Sequence, residues 1–187
     1  MAQKRKDWNG LISGFKASDL VFLDESGCNT DMTRRYAYSL GGSGAVDSAP
    51  LSKPKNTTIL SSIQLDGTLH YTTFSGGTTV ERFKRYLETD LLPHLNGDSV
   101  LVMDNMKSHH AKAVKNLLDS SGVRYIYLPP YSPDLNPIEK LWSKVKSLLR
   151  KFKARTLDAL PNAIQNAFHS VTVSDCSGWF RFCGYVL

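Results

Sequence analysis

Residues 99–105 read SVLVMDN, and this stretch decides the fold: Val100 to Met103 run without a polar break and end on Asp104. A strand with one wet face alternates apolar and polar side chains, whereas a short continuous apolar run fits a strand covered on both sides, as in a parallel sheet between helices. The flanks agree. Upstream, Val80, Phe83, Leu87 and Leu91 recur at helical intervals until Pro93, and Thr78 with Glu81 has the spacing of a capping box. Downstream, a helix is predicted from about His109 to Ser121 with Gly122 placed to end it, then a second buried strand over Tyr125 to Leu128. Two such strands joined by a helix imply parallel pairing through a right-handed crossover.

Working outward, LVFLDESG (residues 20–27) repeats the pattern, with Leu20 to Leu23 as a strand carrying Asp24 at its end. Residues 29–55 contain Arg34, Arg35, two tyrosines, a GGSG stretch and two prolines, an irregular segment with room for one short strand. TTILSSIQL and TLHYTTF flank Asp66-Gly67, a dipeptide suited to a tight hairpin turn. PPYSPDLNP (residues 129–137) cannot extend a strand or helix, because its four prolines lack amide donors. A helix then starts with Asn136 as N-cap, Pro137 first and Glu139 third. Leu141, Val145, Leu148, Leu149 and Phe152 make its apolar face; a further amphipathic helix begins near Thr156, and the aromatic tail SGWFRFCGYVL is expected to pack back on the core. The predicted fold class is α/β, a mixed sheet flanked by helices. Residues 1–19, polar and mixed, read as an extension or linker remnant before a single domain over 20–187.

The chain has 187 residues, 41% hydrophobic content and a formal charge of +6, enough for one core and suited to a polyanionic partner. Cys28, Cys176 and Cys183 form neither a CxxC pair nor an even disulfide set, which fits a reduced, cytoplasmic protein and argues against structural zinc. No run approaches the ~20 apolar residues of a membrane span, and the basic N-terminus lacks a following apolar region, so neither membrane insertion nor secretion is expected.

Asp24, Asp104 and Glu139 each lie where a strand or helix should begin or end, and Glu139 follows Asp104 by thirty-five positions. If the Asp24 and Asp104 strands are neighbours, their backbones lie roughly 4.8 Å apart. Three converging carboxylates can then hold a pair of divalent cations for phosphoryl transfer on nucleic acid. Each acid also has a plainer role open to it. Glu139 suits a capping box or the helix dipole, Asp104 a strand-end turn, and Glu25 competes with Asp24 because adjacent strand residues face opposite sides. His109 and His110 can contact DNA phosphate, orient water or merely cap a helix. Seven positive and no negative side chains fall in residues 140–155, among them Lys140, Lys144, Arg150 and Lys151; these, with Arg34 and Arg35, are candidate phosphate contacts. Asp134 reads as a loop-fixing residue.

VFLDESG, LVMDN with its paired histidines, and LPPYSPDLNPIEKLWSKVK together resemble the catalytic domain of bacterial insertion-sequence transposases related to the Tc/mariner elements. The resemblance runs from about Leu20 to the C-terminus. It implies a ribonuclease-H-like mixed five-stranded sheet, a DDE triad of Asp24, Asp104 and Glu139, and two Mg²⁺ ions, with Mn²⁺ as a substitute. The implied reaction is hydrolysis at the element ends followed by strand transfer of the 3′-hydroxyl into target DNA, in the bacterial cytosol or nucleoid. The implied partners are double-stranded DNA, both terminal repeats and target, and a second protomer. Members of that family usually carry helix-turn-helix modules before the first aspartate; only about twenty residues precede it here, so a module from an upstream reading frame is the expected complement. A catalytically silent DNA-binding remnant and a structure-selective nuclease on the same fold are the competing readings.

Overall fold

The computed structural model describes residues 2–34, 36–48, 50 and 54–185. Five strands, β1 (Leu20–Cys28), β2 (Thr57–Ile63), β3 (Leu69–Ser75), β4 (Val100–Met103) and β5 (Arg124–Tyr127), form one sheet in the order β3-β2-β1-β4-β5. β1 is antiparallel to β2 and β2 to β3, whereas β4 and β5 run parallel to β1. This is the mixed five-stranded sheet that the family resemblance implies. The helices are α1 (Ala2–Ile12), α2 (Val80–Tyr86), α3 (Lys112–Ser121), α4 (Ile138–Phe152), α5 (Leu160–His169) and α6 (Val173–Phe182).

The continuous apolar runs are explained by two cores, one on each face of the sheet. Leu20 to Leu23 and Val100 to Met103 are all buried, and they alternate between the two cores. Phe22, Val100 and Val102 face α4, α5 and α6, packed with Leu141, Val145, Ile164 and Phe180; Val21, Leu23, Leu101 and Met103 face α2 and α3, packed with Phe83, Val114 and Leu118.

Several boundaries differ from the sequence reading, each for a local reason. β1 continues to Cys28 because antiparallel β2 pairs with it beyond the last residue paired to β4, so Asp24 lies mid-strand opposite Ser61 rather than at the strand end. The hairpin keeps Asp66-Gly67 at its tip, with Gly67 at φ 90°, but the strands stop at Ile63 and Leu69, leaving a five-residue loop. α2 is capped by Thr79, whose hydroxyl accepts from the Arg82 amide, not by Thr78; a π-helical turn over Leu87–Leu91 carries the segment on towards Pro93. α3 begins at Lys112, three residues after His109, and ends as expected at Gly122 with φ 72°. The carbonyl of Asn136 accepts from the Glu139 amide, but its side chain is no cap: the group is buried and its Oδ1 has no partner. On α4, Ile138 and Trp142 join the buried face whereas Phe152 is 41% exposed. α5 starts at Leu160, where Thr156 accepts from the Ala159 amide one turn earlier. Residues 29–55 hold no strand among those described.

Residues 1–19 are not a loose remnant where the structure describes them. Trp8 on α1 is 4% exposed and belongs, with Ala17, to the core on the α4 side. Arg5 pairs with Asp134, fixing α1 to the proline-rich loop as the loop-anchoring reading of that aspartate anticipated. Both partners are solvent-accessible, so Trp8 supplies most of the attachment. At the other end, Phe180 and Tyr185 pack on Phe22, which seats the aromatic tail on the sheet. The three cysteines are buried and unpaired, and among the described residues no helix is long and apolar enough to cross a membrane.

Candidate active site

The parallel register aligns Leu23 with Met103, so Asp24, within β1, and Asp104, just past β4, lie side by side where the pairing of these two strands ends. Past that point the chain leaves β5, crosses the proline-rich loop and enters α4, bringing Glu139 to the same place. The three acids line one cavity of about 420 Å³ with Asn105, Met106, Leu128, Tyr131, Ser132 and Asn136.

Side-chain alternation separates the two acids that the sequence left in competition. Asp24 faces α4, where the indole Nε1 of Trp142 donates to its Oδ2 at 3.0 Å. Glu25 points to the opposite side and lies against His109. Asp24 is 9% exposed, and burial pushes its carboxyl up to about 7; the Glu25 amide and Trp142 oppose that rise, and the charges of Asp104 and Glu25 add to it. A carboxyl held so high by desolvation and like charge is a group that a cation would ionise.

Asp104 is fixed by its own loop. Its Oδ1 accepts from the Met106 amide at 2.9 Å and lies 2.8 Å from Nδ1 of His109. Burial pushes this carboxyl up, but the His109 hydrogen bond, the Met106 amide and the charges of His109 and His110 outweigh it and hold Asp104 below its usual range. Glu139 is solvent-accessible on the first turn of α4; partial shielding raises its carboxyl, Lys146 pulls it down and Asp104 raises it further.

His109 is the main correction among the DNA candidates. Its ring is fully buried, stacked on Phe83 at 4.3 Å, with Nε2 3.3 Å from Glu25 Oε2. That distance permits charge attraction, but the geometry is not that of a hydrogen bond. Burial disfavours the charged ring, yet Asp104 and Glu25 together lift it to about 9, so a buried cation braces the back of Asp104 and cannot reach DNA. His110 stacks on Tyr127 at 4.1 Å. Lys144 has its ammonium bound by Asp175 and the Ser170 carbonyl, so it is not a free cation. Lys140 sits 3.9 Å over the Phe182 ring. Arg34, Arg150 and Lys151 line a shared cleft with Tyr36 beside α4, while Arg35 lies outside the described residues.

Sequence reasoning did not find Trp142 or the Glu25–His109 pair. Trp142 lay off the apolar face expected for this helix, and burial of His109 depends on Phe83 from a distant helix. Trp142→Phe keeps the aromatic bulk and deletes the donor to Asp24. Deleting a hydrogen bond that orients such a ligand typically costs about 10- to 100-fold. The expected result is a loss of that size in Mg²⁺-dependent DNA nicking with an unchanged circular dichroism spectrum; nicking at the wild-type rate would show that this bond does not orient Asp24 for the reaction.

Hard carboxylate oxygens are the donors Mg²⁺ and Mn²⁺ prefer. Among the described residues no three His, Cys, Asp or Glu close on one ion as a cage. Mg²⁺ needs no such cage, since one or two carboxylates, waters and substrate phosphate oxygens complete its octahedron. The cavity lined by Asp24, Asp104 and Glu139 therefore suits a divalent cation whose remaining ligands are waters and substrate oxygens.

Residues 19–161, well over half of the chain, match the family described as DDE superfamily endonuclease. The Tc1 transposase of Caenorhabditis elegans is 29% identical over 97 residues, covering 50% of this chain and 36% of the relative. The crystal structure of a pre-cleavage Mos1 transpososome superposes with a TM-score of 0.81 at 18% identity, over 97% of this chain and 58% of that one. The Mos1 mariner paired end complex with Mn gives 0.79 at 20% identity, over 95% and 57%. This chain thus spans about a third of the Tc1 relative and somewhat over half of the Mos1 chains. With the sheet order and the family match on the same residues, the chain belongs to the DDE superfamily endonucleases, as a catalytic domain related to those of the Tc/mariner transposases.

Proposed function

We propose that this domain is the catalytic part of a transposase, hydrolysing phosphodiester bonds at the ends of a mobile element and then transferring the freed 3′-hydroxyl into target DNA. The observation that carries the reading is the meeting of Asp24, Asp104 and Glu139 in one cavity. Those three would hold two Mg²⁺ or Mn²⁺ ions, which when bound activate the attacking oxygen and stabilise charge on the leaving one. The similarity to the Mos1 paired end complex with Mn supports the metal assignment.

The chain's own residues divide the remaining work. Trp142 holds Asp24 towards the cavity, and the Met106 amide with His109 holds Asp104. Arg34, Arg150 and Lys151 offer charge for the DNA backbone along α4. An upstream helix-turn-helix module would supply recognition of the terminal repeats, and two protomers would bring two ends together. The likeness to the Mos1 mariner paired end complex supports the pairing of ends.

A labelled duplex incubated with the protein and Mg²⁺ tests the reading. The expected products are nicks bearing 3′-hydroxyl ends, some joined to a second duplex. Nicking without joining would favour a structure-selective nuclease. DNA binding with no nicking in Mg²⁺ or Mn²⁺, even with an added upstream module, would instead make this a silent remnant.

A further inference from the structure

Tyr131 lies on the rim of the acidic cavity in an arrangement that its local fold does not explain. Its side chain is 89% exposed, and its backbone is left-handed at φ 55°, a conformation ordinarily left to glycine or asparagine. Lys153, also left-handed, ends α4, where such a residue is an ordinary way to stop a helix. Tyr131 ends no helix.

The loop on either side is tied down. Pro129 and Pro130 restrict the approach, the Asn105 side chain donates to the Leu128 carbonyl, and Ser132 is buried and accepts from Arg5. Pro133 then opens a short 3-10 turn. A strained backbone held between fixed anchors so that an aromatic ring stands in solvent is a feature maintained for something the ring meets. Met106, 37% exposed, lines the same cavity.

We propose that Tyr131 is a stacking platform for an unpaired base of the nucleotide next to the scissile phosphate; this rests on the catalytic reading of Asp24, Asp104 and Glu139. Tyr131 lines the same cavity as the three acids, so a phosphate positioned there for attack places its base towards the rim, where the ring stands. The ring is flat, uncharged and sequence-tolerant, as base stacking requires. Bases inside an intact duplex have both faces covered, so the platform selects a strand end or a base displaced at the cleavage site and steadies the backbone there for attack.

The test uses duplexes with 2-aminopurine on either side of the cleavage position, comparing wild type, Tyr131→Phe and Tyr131→Gly. Glycine removes the ring while suiting the left-handed backbone, so the thermal midpoint should hold or rise and misfolding is not in question. The expected result is a change in 2-aminopurine fluorescence on binding of wild type and Tyr131→Phe that disappears in Tyr131→Gly, with single-turnover nicking reduced about tenfold or more in the glycine variant. Wild-type nicking undiminished in Tyr131→Gly would overturn the stacking role and leave the catalytic reading standing. A fluorescence change lost in Tyr131→Gly, from a wild type that never nicks even with an added upstream module, would overturn the catalytic reading and with it a platform beside a scissile phosphate, leaving Tyr131 as a base contact of a silent DNA-binding domain. No fluorescence change with wild type, or loss in Tyr131→Phe equal to that in Tyr131→Gly, would overturn the platform.

Discussion

Asp104→Asn should reduce metal-dependent DNA cleavage by about a thousandfold or more while leaving DNA affinity equal or higher. Losing roughly 4 kcal/mol of transition-state stabilisation, within what a displaced metal removes, corresponds to that factor. The amide keeps the size of the side chain and its Oδ1 can still accept from the Met106 amide, so the loop keeps its shape. What disappears is negative charge. That charge attracts a divalent cation and repels phosphate, so its removal should separate cleavage from binding. Paired nicking and fluorescence-anisotropy measurements on the two proteins check the prediction; an Asn variant that cleaves at the wild-type rate would remove Asp104 from the triad.

Phe180→Ala should have the largest effect on stability. Phe180 is fully buried on α6, edge-on to Phe22 of the central strand at 5.3 Å and to Tyr185 at 5.9 Å. Truncating a buried phenylalanine costs about 3–5 kcal/mol, and in a domain of this size that lowers the thermal midpoint by roughly 10 °C. Differential scanning calorimetry measures it. A shift of only a degree or two would mean that α6 is an appendage, outside the cooperative unit that holds the site.

The parts of this molecule legible in its sequence are those set by short-range pattern. Val100 to Met103 announced a strand covered on both faces, and the acids that follow it and Leu23 announced neighbouring positions. The residues that escaped depend on partners far along the chain. His109 follows a polar loop and reads as exposed until Phe83 and Glu25 enclose it. Lys144 belongs to a run of free-looking cations until Asp175, at the start of α6, binds it; Thr172 and Asp175 form the capping box there. Trp8 follows a run of polar residues from Gln3 to Asp7, too weak a signal for a helix that nevertheless reaches the core. Asp24 seemed to end its strand because apolar character ends there, although the backbone pairing with β2 does not.

In the proposed function, Asp24, Asp104 and Glu139 act together through divalent metal. The most direct test is nicking of one labelled duplex, with Mg²⁺ or Mn²⁺ present or chelated, by wild type, Asp24→Asn, Asp104→Asn and Glu139→Gln, all with confirmed DNA binding. Cleavage is expected from wild type only with metal, and from none of the three variants. Cleavage that survives chelation, or that persists in any one of them, would contradict that function.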